Sequence, residues 1–322
     1  MPTARPGALS GVLTVLFAAS LFGTLGVLSR QAYAEGLEPF SFVFWRAAVG
    51  GLALWAAIIV ARRSLGRGQP LVGWSAMSSR MRRSLVITIL AGTLLNLAAF
   101  VAFERTTVAL ALLCFYTYPA MVAAASVALG RERLDGQRLL ALLLALAGMV
   151  AVVVGGAASA SVQLDPVGVG AAFTAAGCQV VFVLLSRDYA SLPTDQAMAT
   201  ILAGTGVVAA VVTVVAEGPG QLVAPFGAAP LLLLLLGVGI FTAAVPSSLF
   251  LAGIRQLGGI RTGIVMLAEP VVGVLLAAYF LAEALTAVQA AGGATILVAA
   301  ILVQRDPTPD VVPAVTPLPG GP

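Results

Sequence analysis

The residues able to do chemistry in this 322-residue chain are few, and the most suggestive ones lie inside long apolar runs. Glu269 stands about nine residues into one such run, roughly 14 Å along a helix, and is followed by Pro270. An ionised carboxylate at the centre of a membrane helix costs roughly 2.5–3.5 kcal/mol, so Glu269 should face the protein interior or carry a proton. Two roles are open to it. It could take up a proton or meet a substrate amine; or it could serve the backbone, because Pro270 has no N–H to offer the carbonyl of Met266. Tyr118 likewise precedes a proline, Pro119, in another apolar run. Its phenol could hydrogen-bond a solute, stack on one, or simply pack. Tyr116, two residues away, sits about 200° around a continuous helix from Tyr118. The two should therefore not face one cavity squarely, and packing is the better reading of Tyr116.

Asn96, Gln179 and Ser247 (with Ser248) are polar groups in apolar runs. In hydrocarbon each needs a partner, from a wet cavity or from a neighbouring helix. Arg46 falls about six residues into its run, at a height roughly 7 Å from that of Glu269. A switching ion pair between them competes with snorkelling or a fixed structural contact. Glu132 and Glu283 lie at run ends, the first beside Arg131 and Arg133, and read as caps or interfacial salt bridges.

Several chemistries are excluded by composition. There is no His, which removes Ser-His-Asp hydrolysis, HExxH zinc sites and ordinary haem ligation. Cys114 and Cys178 both sit in apolar runs and read as small hydrophobes. No G-x-x-x-x-G-K-[ST] stretch occurs, so a P-loop does not energise the chain. No cofactor is expected, and without clustered acids and nucleophiles the chain does not read as an enzyme.

The elements carrying these residues must be membrane helices. The chain is 60% hydrophobic and 9% charged, where a soluble domain carries roughly 25% charged residues. Hydropathy marks ten runs, at 9–28, 40–61, 84–103, 107–129, 139–155, 166–186, 196–216, 230–252, 260–281 and 287–303. The first is too long for a signal peptide and reads as retained. The fold class is therefore all-α, a polytopic membrane protein of ten transmembrane helices. All 17 basic residues are Arg. With the N-terminus inside, 14 of these 17 fall on the cytoplasmic side, while Arg30 and Arg105 lie outside and Arg46 within a span. The positive-inside rule thus selects N-in and C-in. It also accounts for the basic balance without a nucleic-acid partner. The loop 62–83, with six arginines and Trp74, could touch anionic headgroups, although setting topology is explanation enough. Residues 306–322, rich in Pro, read as a disordered cytoplasmic tail.

A shift of 151 residues lays Pro119 on Pro270, Glu132 on Glu283 and Leu134 on Leu285, without a gap. A shift of 157 lays Ser29-Arg30 on Ser186-Arg187. The chain then divides into repeats 1–157 and 158–305, each of five spans. An odd number of spans inverts the second repeat, an architecture that suits a carrier with a midplane site.

With these residues in view the chain resembles the EamA-like members of the drug/metabolite transporter superfamily. The resemblance rests on the stretch from Leu16 to Gly23, on Pro39 and Arg46, and on Tyr118-Pro119 with Glu132. It rests equally on Glu269-Pro270 with Glu283, and on Gln137 and Gln289 opening the fifth and tenth spans. Phe22 departs from it, since the family often has Trp there. The resemblance implies ten helices in two five-helix repeats, a central cavity, and mostly export of metabolites, amino acids or related compounds. The expected partners are a small-molecule substrate and the lipids of a bacterial inner membrane, with proton coupling through Glu269. Multidrug or organic-cation efflux is the alternative within carriers. A receptor-like or structural membrane protein is the remote one.

Overall fold

The computed structural model describes residues 6–64, 70–106, 108–156, 165–280 and 285–304, and no strand occurs among them. Long apolar stretches have no option but helix in a bilayer, because only intrahelical bonding satisfies their backbone. Helices α1 (Pro6–Gly23) and α2 (Leu25–Ala34) stack end to end across Thr24. They are followed by α3 (Pro39–Ser64), α4 (Ser79–Arg105), the half-helices α5 (Val108–Phe115) and α6 (Tyr118–Ala128), and α7 (Gly136–Gly156). Then come α8 (Pro166–Leu185), α9 (Thr194–Ala216), the short α10 (Gly220–Val223), α11 (Ala229–Val238) and α12 (Val245–Leu257). The half-helices α13 (Gly259–Met266) and α14 (Glu269–Phe280) precede the final α15 (Ala287–Gln304).

Among the described residues, nine helical stretches are long and apolar enough to cross a membrane. Ala287–Val303 is a shorter apolar helix at the position of the expected tenth span. At 1.5 Å per residue it is about 26 Å long, close to the lower limit for crossing. Its partner is α7, and the two backbones nearly touch: a Cβ added at Gly148 or at Gly292 would stand 2.6 Å from the other's carbonyl oxygen. Small residues at such a crossing supply the dispersion contact that association in lipid depends on. Helix α3 lies as closely on α9, where a Cβ at Gly51 would come within 2.8 Å of the Ala203 amide nitrogen.

Besides the division of the first span at Thr24, three spans are broken at a proline. Pro119 and Pro270 start α6 and α14, and each lacks the N–H that residues Phe115 and Met266 would need for an unbroken helix. The 151-residue shift carries Val108–Phe115 onto Gly259–Met266 and the start of α6 onto the start of α14, so the two breaks share one register. The eighth span is interrupted differently. Between α11 and α12 the residues Gly239–Ala244 form a π-helical turn just ahead of Pro246.

Arginine contacts gather the ends of α6, α8 and α12 with the starts of α4, α9 and α13. Arg131 donates to the Leu184 carbonyl (2.5 Å), Arg187 to Glu132 (2.9 Å), Arg255 to the Leu192 carbonyl (2.8 Å) and Arg80 to Asp188 (3.1 Å). Glu283 and the tail 306–322 lie outside the described residues.

Candidate functional site

A cavity of about 740 Å³, lined by residues from both halves of the chain, lies among the helices. All six residues singled out from sequence line it: Arg46 from α3, Asn96 from α4, Tyr118 from α6, Gln179 from α8, Ser247 from α12 and Glu269 from α14. Its rim includes the exposed Arg30 and Phe103, near the ends of α2 and α4 away from the arginine-gathered side. Toward that gathered side the space ends, and Val122, Val183, Ile260 and Ile264 are all buried. The cavity is thus open on one side and sealed on the other.

Arg46 is fixed by the broken eighth span. Pro246 leaves the carbonyl four residues before it, that of Thr242, without a helical donor. The Arg46 guanidinium supplies the missing protons, through Nη2 at 2.6 Å and Nε at 3.1 Å. Nε also reaches the Thr242 hydroxyl at 3.2 Å, and Nη1 donates to Asn96 Oδ1 at 2.8 Å. Asn96 is held in turn by its own amide, which donates to the Gly92 carbonyl at 2.7 Å. Its two candidate roles therefore coincide: Asn96 both lines the cavity and bonds a neighbouring helix. The guanidinium also stands 5.9 Å from the centroid of Phe22, a cation–π contact. A fixed contact, and not a pairing with Glu269, accounts for the position of Arg46.

Glu269 lies close to the Tyr116 hydroxyl and to the Arg46 guanidinium on the cavity wall. Tyr116 and Tyr118 both line the cavity, and both are buried. This corrects the expectation that they point apart. The angular argument assumed a continuous helix, but α5 ends at Phe115 and α6 begins at Tyr118, so the pair spans the break. Phe115 packs against both rings at 5.3 Å between centroids. Aromatic rings cover much of the remaining wall, with Phe22, Phe100, Phe182 and Phe250 among them.

Sequence reading missed Thr242 as a ligand of Arg46, although its place four residues before a proline was the same signal that drew attention to Met266. It undervalued Tyr116, and it had no handle on Phe22, Phe100 or Phe250, which look like any apolar residue in a span. Cys114 and Cys178 are buried free thiols. Among the described residues no group of His, Cys, Asp and Glu could hold a metal ion.

The sequence model of the EamA-like transporter family matches residues 9–154 and again 165–305. The chain belongs to that family. No curated protein matches it. A solved crystal structure matches this EamA-like chain in fold, with a TM-score of 0.74 at 22% identity, covering 91% of this chain and 96% of the other. The family is one of membrane transporters, and the chain is a multi-pass membrane protein of the drug/metabolite transporter type.

Proposed function

We propose that this EamA-like protein is a secondary carrier of small organic metabolites, amino-acid-like compounds among them, working by alternating access around the central cavity. Glu269 and Arg46 are its charged recognition groups, Tyr116, Tyr118, Asn96, Gln179 and Ser247 its polar contacts, and export into the space outside the bacterial inner membrane its direction. The observation that carries this reading is the cavity itself. It is large enough for a small metabolite, lies between broken helices, and presents Glu269 and Arg46 against aromatic walls, with Arg30 at its rim. Two five-span repeats of opposite orientation, ten spans in all, would supply the matching inward- and outward-open states.

Organic-cation efflux is the second reading, and a specific observation favours it. The Arg46 nitrogens are already engaged by Thr242 and Asn96, which leaves Glu269 the less occupied charge, set among aromatic rings.

Both readings meet one experiment. Purified protein in liposomes is offered amino acids and cationic dyes, with and without an imposed pH gradient, wild type beside Glu269→Gln. A solute that moves with the gradient, and loses that response in the variant, supports coupling through Glu269. Unchanged pH dependence in a well-folded variant removes the coupling role and leaves the carrier. No movement of any solute in either class defeats the reading.

A further inference from the structure

On the sealed side of the cavity one carboxylate joins three helices. Glu132 lies just past α6 and is 4% exposed. Its Oε1 accepts from the backbone N–H of Gly259 at 2.9 Å, and its Oε2 from that of Ile260 at 3.0 Å. These are the first two amides of α13, which a helix leaves without internal partners. Oε1 also accepts from Arg187 Nη2 at 2.9 Å, and Arg187 lies at the end of α8. The junction is drawn tighter by Arg131, which donates to the Leu184 carbonyl, and by Arg187, which donates to the Arg131 carbonyl at 3.1 Å. Gly259 has no side chain because none would fit. A Cβ there would come within 2.7 Å of Val183 and 3.3 Å of Val122.

The mechanical consequence follows from the breaks. Helix α13 is only eight residues long, and its far end meets Glu269 through the Pro270 break. Whatever holds the start of α13 against α6 and α8 closes the cavity floor and also sets the depth of Glu269. Charge-assisted bonds from two amides and a guanidinium to one buried carboxylate are strong for their size, yet all three can be exchanged for water when the helices part. We infer that Glu132, with Arg187, is the latch of the inner gate: its bonds to the start of α13 hold the cavity shut on the arginine-gathered side, and their release admits the opposite, inward-open state. Glu132 is a positioning residue and touches no solute. The inference rests on the alternating-access reading above.

The test reads conformation directly and needs no known substrate. On a background with Cys114 and Cys178 replaced by Ala, a reporter thiol is placed at one of two positions. Val122→Cys is buried beside Gly259 on the closed side. Gly26→Cys is at the open mouth, where an added Cβ meets nothing within 4 Å. Membrane-impermeant maleimide is applied from each side of oriented vesicles. In the parent, Gly26→Cys should label readily and Val122→Cys should be shielded. Glu132→Gln should speed labelling of Val122→Cys roughly tenfold and slow that of Gly26→Cys, with Glu132→Asp in between. Arg187→Gln, which keeps the helix cap, should give the same reciprocal change at smaller size and decides the matter if Glu132→Gln does not fold. Unchanged rates at both reporters overturn the latch. So does faster labelling at Val122→Cys without slowing at Gly26→Cys, since that is local loosening and not a change of state. A reciprocal shift in a protein that moves no solute would keep the latch and defeat the carrier. Transport with unmoved labelling would do the reverse.

Discussion

Arg46 shows how a single backbone defect can fix a charge in the membrane. The carbonyl of Thr242 is released by Pro246, and the guanidinium that answers it can also reach Asn96 because its donors fan out in a plane. An ammonium is a point donor on a flexible stem and cannot hold both partners in that geometry. Arg46→Lys should therefore lower the thermal stability of the detergent-solubilised protein by about 1–3 kcal/mol, the cost of leaving a buried carbonyl or amide short of a partner. Thr242→Val removes the hydroxyl, which accepts from Arg46 Nε at 3.2 Å and donates to the Val238 carbonyl at 2.8 Å, but keeps the Thr242 carbonyl, and should cost about 1 kcal/mol. Equal melting temperatures for Arg46→Lys and wild type would show that Thr242 does not depend on the guanidinium. On the proposed carrier reading the same residue bears on transport: a lysine that leaves the π-turn and reaches for Glu269 would occupy that carboxylate.

At the scale of elements, the half-helices are what put polar groups on the wall of a cavity built from apolar spans. Both breaks place a polar residue first in the second half, Tyr118 in α6 and Glu269 in α14, where the chain has no continuous helix to bury them in. Pro270→Ala would return an N–H to the Met266 carbonyl and favour one continuous helix. Transport should fall roughly tenfold or more, because Glu269 and its neighbours on the cavity wall shift by ångströms, while the melting temperature holds or rises. A drop in both would mean that the proline serves packing and not the break. A second cross-repeat cap, on the cavity's open side, carries a pH signature. Glu217, past the end of α9, accepts from the Phe40 and Ser41 amides at 2.7 and 2.8 Å and so anchors the start of α3. Burial pushes its carboxyl above the ordinary value, against those two bonds, which favour the charged form. The folded protein then holds this proton more tightly than the unfolded chain does. Its stabilising contribution is full below the unfolded-state value and fades as pH rises through the folded one. The melting temperature of Glu217→Gln, relative to wild type, should accordingly rise between pH 4 and pH 7. A difference that falls over that range would reverse the sign.

For the whole molecule, hydropathy located the spans because a bilayer tolerates little else, and the prolines located two of the breaks because a missing N–H acts where it stands. Side-chain direction near the breaks was less legible. Tyr116 was placed by helical angle, and the angle has no meaning across a gap. Pro246 marked the carbonyl of Thr242 as short of a donor, but nothing in the sequence showed that Arg46, 196 residues away, would answer it, so the anchoring of Arg46 emerged only in three dimensions. The aromatic walls were likewise hidden, since Phe22 and Phe250 differ from lipid-facing residues only in where they point. The sidedness of the membrane is read from the arginines. The sequence pattern assigns 14 of 17 to the cytoplasmic side, and among the described residues Arg80, Arg131, Arg187 and Arg255 gather helix ends on the side where the cavity is sealed. A fluorescent protein fused after residue 305 should therefore fold and glow in the cytoplasm, and an alkaline phosphatase fused there should stay silent. An active phosphatase would turn the molecule over. The open cavity would then face the cytoplasm, Glu132 would guard the outer gate, and the same structure would be poised to receive solute from inside instead of releasing it outside.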